Sequence, residues 1–250
     1  MVMAALLLAT SIYAQNYTTA LWSREKMDST WNYSSGATTA IIAKYRPAVD
    51  SLSIVIGTAP QEMEKYVPES PLSNFAVDVM KSFATAYLQK STDNAEACVD
   101  MAITNFGGIR TTLPQGDITP YDVISIFPFD NKIVILDLPG KYVRELMNSF
   151  ASRGRVEAMS GVEIVIDRNT RELKKCLVCG EPIDDNRVYK VATIDFLLGG
   201  GDSVYALRYC TDKVDTGVYM RDMIIDYIKN ETACGRVIEA EKDGRAVVLR

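Results

Sequence analysis

The 250-residue chain contains no histidine. That absence removes the side chain that most often joins carboxylates around a catalytic metal. Cysteine is scarce, five residues in all, and only Cys176 and Cys179 form a C-x-x-C. A structural zinc site needs a second such pair or histidines, and Cys98, Cys210 and Cys234 lack the spacing. The alternative metal site is one of carboxylates alone for magnesium, and no D-x-D motif anchors it. The sequence therefore predicts no metal held by this chain. The apolar run Ala4–Ala9 is far shorter than the ~20 apolar residues that cross a bilayer. Positive charge is short too. The net charge of −5 argues against nucleic acid, whose partners carry basic patches. A small anionic ligand stays within reach of one well-placed arginine.

What is present is the composition of an ordinary globular protein, 48% apolar and 24% charged. The length suits one sizeable domain or two small ones. Residues 1–14 read as a signal peptide, cleaved after about Ala14; the competing reading is a buried first helix. A signal peptide implies a periplasmic or secreted protein, which the five cysteines fit. Residues 15–37 are polar and aromatic (Tyr17, Trp22, Trp31, Tyr33) and read as a linker or docking arm. The C-x-x-C falls between the strand-like Leu173-Lys174-Lys175 and the loop Gly180-Glu181-Pro182, not at a helix start as a redox motif would. A local disulfide between Cys176 and Cys179 is expected, with Cys98 as a buried free thiol.

Periodicity predicts a helix over 38–48 and a strand over 51–56. Ser70-Pro71 opens a stronger helix, with Ser70 as cap and Leu72, Phe75, Val79, Phe83 and Tyr87 on its buried face. Val99, Met101 and Ile103 alternate as a strand entering the Gly107-Gly108 turn. Thr119-Pro120 starts a short helix to about Ile126, and Lys132 to Leu138 is a strand broken by Pro139-Gly140. Val143, Leu146, Met147 and Phe150 mark a helix. Segments 162–166 and 173–177 form a hairpin, and 188–193 is another strand. Val218, Ile224, Tyr227 and Ile228 give a late helix, and 240–245 suggests a terminal hairpin. The fold class is mixed α/β: a single domain, residues 38–250, of a mixed sheet with flanking helices.

Two glycine turns end in a charged side chain. One is Asn105-Phe106-Gly107-Gly108-Ile109-Arg110; the other is Phe196-Leu197-Leu198-Gly199-Gly200-Gly201-Asp202. Glycine lets backbone approach a ligand. Arg110 can hold a phosphate or carboxylate with a bidentate fork. Asp202 can accept from vicinal hydroxyls. Phe129, in Phe127-Pro128-Phe129, and Phe196 can sandwich a flat ring, and base–aromatic stacking contributes ~1–3 kcal/mol. Taken singly, each phenylalanine reads as core.

In order along the chain, these motifs resemble the C-terminal, substrate-binding domain of the 5′-nucleotidase / UDP-sugar hydrolase family. They are Glu69-Ser70 with Asn74, Asn105 to Arg110, Phe127-Pro128-Phe129 with Asn131, Ser160-Gly161-Val162 and Asp195 to Asp202. The resemblance covers about residues 38–230. It implies that Asn105 and Arg110 meet the ribose and phosphate side of the ligand. Phe129 and Phe196 stack on the two faces of the base, Asp202 binds ribose hydroxyls, and Asn131 and Gly161 border the base. Gly107, Gly108 and Gly200 supply close backbone. A second arginine, usual just before Glu69, is Pro68 here. The family's hydrolysis belongs to a two-metal metallophosphatase domain that these residues do not provide. No cofactor is expected in this chain. Its expected partners are a nucleotide or nucleoside and a separate metallophosphatase subunit carrying the divalent metals. The alternative is a stand-alone extracytoplasmic nucleoside-binding module that scavenges or senses.

Overall fold

A computed structural model describes residues 35–249. The expected signal peptide and most of the arm lie outside them. The chain divides into two compact units, residues 1–45 and 46–250. The first helix, α1, runs Gly36–Ser51 and buries none of its side chains.

The remaining elements lie in the second unit. They are β1 (Gly57–Ala59), α2 (Pro71–Thr92), β2 (Met101–Thr104), β3 (Gly116–Ile118), α3 (Pro120–Ile126), β4 (Lys132–Pro139), α4 (Gly140–Arg153), β5 (Ala158–Ser160) and β6 (Val162–Asp167). They continue as β7 (Glu172–Val178), β8 (Glu181–Pro182), β9 (Val188–Ile194), α5 (Asp195–Leu198), β10 (Asp212–Tyr219), α6 (Met220–Ala233) and β11 (Ala246–Leu249). This is a mixed α/β fold, as the sequence predicts.

A five-stranded sheet in the order β10-β4-β9-β2-β5 forms the centre. Its middle strands are apolar on both faces, and Ile133 to Leu136 are all buried, so they are covered on both sides. Strand β2 runs parallel to β9, and β4 runs antiparallel to β9 with Ile133 opposite Ile194. This topology puts the last residues of β2 and β9 beside the first residue of β4. Asn105, Phe196 and Asn131 therefore emerge at one edge. A second sheet, β11-β6-β7-β8, and the pair β1-β3 complete the domain.

Helix α2 starts where expected. Ser70 caps it, accepting from the Ser73 N–H while Ser73 Oγ accepts from the Ser70 N–H. The preceding Glu69 is buried. One of its oxygens accepts from Asn74 Nδ2 (2.8 Å), the Asp243 N–H (2.7 Å) and the Gly244 N–H (3.2 Å). A carboxylate removed from water is tolerated because it collects these donors. The clamp overturns the expected terminal hairpin. The backbone around 240–245 is spent on Glu69, and the chain then pairs as β11, parallel to β6. Arg245 reinforces this with two bonds to Asp78, at 2.7 and 3.0 Å.

Four further expectations are corrected. Residues 51–56 do not form a strand: α1 runs through Ser51, and Ile54 and Val55 are exposed, so their alternation reflects no burial. Val218 belongs to β10, and the late helix begins at Met220. Cys176 and Cys179 are both free thiols. Cys176 packs against the core from β7, and burial raises its pKa to about 11. Cys179 turns through a left-handed conformation (φ 53°), and its thiol donates to the Asp100 carbonyl at 3.2 Å. Cys98 is exposed rather than buried.

Replacing Glu69 by alanine strands three donors. The expected loss is about 3 kcal/mol, read as the shift in a urea unfolding midpoint. A loss below about 1 kcal/mol would mean the clamp is not what fixes the C-terminal segment.

Candidate functional site

A cavity of about 300 Å³ opens at the strand edge where β2, β4 and β9 meet. Asn105, Gly107, Gly108, Arg110, Phe129, Asn131, Phe196 and Asp202 line it. Eight of the ten expected site residues are thus brought together, although the outermost two stand 97 positions apart in the chain. Phe129 and Phe196 are 46% and 45% exposed, which overturns the reading of either as core. Among the described residues the ring pairs in contact are Phe75–Tyr227, Phe83–Tyr87 and Tyr142–Tyr209, so Phe129 and Phe196 do not stack on each other.

The two glycine turns meet through one hydrogen bond. Asn105 Nδ2 donates to Asp202 Oδ2 at 2.6 Å. Asn105 is buried, and its Oδ1 has no partner among the described residues. A buried acceptor left open is costly unless something fills it. A side chain on Gly108 would reach this Oδ1 at 2.7 Å, so glycine is what lets the turn wrap over the amide. Asp202 sits in a left-handed conformation (φ 50°, ψ 28°), and Arg153 Nη1 donates to its carbonyl at 2.5 Å. A Cβ on Gly201 would collide with the Phe196 ring, so this glycine sets where the ring rests. The Arg110 guanidinium lies 5.9 Å from the Phe129 ring centre, and its Nη1 donates to the Gly107 carbonyl at 3.2 Å.

Two expected residues lie elsewhere. Gly161 follows β5, which pairs antiparallel with β2, and its missing side chain makes room for the Asp100 carbonyl. Asp100 and Asn105 bracket β2, so Gly161 is roughly 16 Å from the cavity at ~3.3 Å per residue. It therefore does not border the cavity; its role is close strand packing. Gly200 does not line the cavity. Its left-handed turn (φ 88°) accommodates Arg208, which donates to the Gly199 carbonyl.

Sequence reading missed Glu157, just before β5. It is buried, and its Oε2 accepts the Phe106 N–H at 2.9 Å, fixing the start of the first turn. Arg155 stands 3.7 Å from its other oxygen. The available signal was an acid between Val156 and Ala158 in an otherwise apolar stretch.

Burial raises the Glu157 pKa from the ordinary 4.5, against the pull of the Phe106 N–H and Arg155. The folded state then holds this proton better than the unfolded chain. Stability from this group is full below about pH 4.5 and falls as pH rises through the folded pKa. Glu157→Gln keeps an acceptor and removes the charge. The variant is expected to lose this downward slope in denaturation midpoints taken from about pH 4.5 to about pH 8. Identical pH profiles for the two proteins would contradict it.

The family model described as "5'-nucleotidase, C-terminal domain" matches residues 55–209. Protein UshA of Yersinia enterocolitica is 29% identical over 140 residues, covering 54% of this chain and 25% of that protein. The cell wall protein Lmo0130 of Listeria monocytogenes is 29% identical over 195 residues, covering 72% of this chain and 24% of that protein. Among solved structures, a 5'-nucleotidase precursor from Thermus thermophilus superposes with a TM-score of 0.68 at 27% identity. That match covers 86% of this chain and 43% of the other. The chain spans about a quarter of the length of these curated relatives. The site geometry, the matched span and the shared fold lead to one conclusion: the chain belongs to the 5'-nucleotidase C-terminal domain family.

Proposed function

We propose that this domain binds a nucleoside or nucleotide and is the recognition part of a 5′-nucleotidase-type phosphohydrolase in nucleotide catabolism. One observation carries the reading. Two half-exposed phenylalanine rings line a single cavity whose wall also holds a buried carboxamide with an open acceptor and a carboxylate. The base stacks between Phe129 and Phe196. Ribose hydroxyls donate to Asp202, beside the Asn105 amide that binds it. Asn131 borders the base. Arg110, at the cavity mouth, takes the phosphate side. Since Pro68 stands where the resemblance implies a second arginine, the phosphate adds modestly to affinity.

These residues recognise; they do not cleave. Among the described residues, no group of three or more His, Cys, Asp or Glu side chains could hold a metal ion. The residues present do not fit the two-metal centre that the family's hydrolysis implies, so no step of that chemistry is drawn through them. We assign it to a separate metallophosphatase subunit, with residues 15–37 as the docking arm. The short apolar run near the N-terminus and the likeness to a cell wall protein support a periplasmic or secreted location. No described helix is long and apolar enough to cross a membrane.

Calorimetry with adenosine, AMP and UDP-glucose tests the binding reading. Phe129→Ala and Phe196→Ala are each expected to weaken adenosine about 5- to 150-fold, the equivalent of ~1–3 kcal/mol of stacking. The fold should persist, because neither ring is core. Gly201→Ala is expected to weaken adenosine by pushing the Phe196 ring aside. Arg110→Ala should weaken AMP and leave adenosine unchanged. Unaltered adenosine affinity in both phenylalanine variants would contradict the stacking site. For the partner, AMP hydrolysis is measured with and without a candidate metallophosphatase chain. No gain on mixing would favour the stand-alone module.

A further inference from the structure

A second cavity, about 510 Å³, adjoins the turn Phe106–Gly108. Phe106 and Gly107 line it, and Gly107 lines the first cavity as well. Its charged lining side chains are Lys65, Arg155 and Arg168, with no carboxylate among them. Arg171 joins them. A Cβ on Gly154, itself in the cavity wall, would collide with Arg171 Nη1 and stand 3.1 Å from Arg168 Cγ. Four cations thus gather in a chain whose net charge is −5. Among the described residues, Arg168 and Arg171 make no ion pair, and Arg155 has only the distant contact with Glu157 at 3.7 Å.

The gathered positive charge attracts an anion to this space. Lys65 is fixed in place. Its Nζ donates to the carbonyls of Ile109 (2.7 Å) and Phe106 (3.4 Å), which leaves one N–H for another acceptor. Guanidinium forks beside an ammonium match an anion with several oxygens on each centre. The volume exceeds what one phosphate fills.

We propose that this basic cavity, which shares Gly107 with the nucleoside cavity, is a binding site for linked phosphoryl groups. The site goes beyond the proposed function and does not require it. Two sources share the chemistry: free pyrophosphate, or the phosphate tail of a nucleotide held in the first cavity. Lys65 ties the two cavities together, since it bonds the same turn that carries Asn105 and Arg110. Arg155 and Arg168 are largely exposed, so binding is sensitive to salt.

The test titrates the full chain with pyrophosphate, adenosine and ADP at low and high salt. Wild type is compared with Arg155→Gln/Arg168→Gln, and circular dichroism checks the fold. Lys65→Met serves as a second, independent variant. Pyrophosphate is expected to bind the wild type and to weaken about tenfold or more in each variant. It should also weaken as salt rises. Adenosine should bind the double variant as it does the wild type. Loss of any ADP-over-adenosine preference in the double variant identifies the nucleotide tail as the source; a retained preference identifies free phosphate. Absence of pyrophosphate binding at millimolar concentration, or equal binding by both variants, overturns the site. If adenosine binds neither protein, the nucleoside reading fails while the pyrophosphate result still decides this one.

Discussion

The 2.6 Å hydrogen bond from Asn105 Nδ2 to Asp202 Oδ2 is the contact on which the site depends. It joins two turns that are distant in sequence, and each turn brings its own equipment. The first carries Arg110; the second carries Phe196. The bond forms only because β2 and β9 are parallel neighbours and so release their loops at the same sheet edge. Glycine completes the arrangement. Bulk at Gly108 would strike the Asn105 amide, and bulk at Gly201 would strike the Phe196 ring. Sheet topology, backbone freedom and one charge-assisted bond together set where two aromatic rings stand.

A layer of support lies behind this contact. Glu157 holds the Phe106 N–H from within the fold, Lys65 holds two carbonyls of the same turn, and Arg153 holds the Asp202 carbonyl. None of the three lines the cavity between Phe129 and Phe196, yet each restrains a residue that does or its immediate neighbour. Elsewhere, Glu69 performs a comparable task by drawing the C-terminal segment onto the start of α2. Buried carboxylates in this protein act mainly as collectors of backbone donors, which is why they are tolerated in an apolar interior.

Much of this was legible in the sequence. Helix α2 announced itself through Ser70-Pro71 and its apolar spacing, and β4 through an unbroken apolar run. Eight site residues could be named because weak single signals, glycine turns, aromatics and an arginine, fall in an order that resembles the 5′-nucleotidase family's motifs. What was not legible depends on tertiary pairing. Strand β10 is a half-exposed edge whose polar residues hide its alternation. Strand β5 is only three residues long. The C-terminal segment looks like a hairpin until Glu69 claims its N–H groups. The cysteine pair misled because its two positions face different surroundings, one the core and the other the Asp100 carbonyl. Gly161 sits in the right motif but at the wrong end of β2, a distinction that register alone decides.

The central claim is that the cavity recognises a nucleoside. A crystal of this chain soaked with adenosine tests that claim most directly. Planar density is expected between the rings of Phe129 and Phe196, with the sugar against Asp202 and Asn105. Rings closed on one another, or a ligand bound away from both, would contradict it.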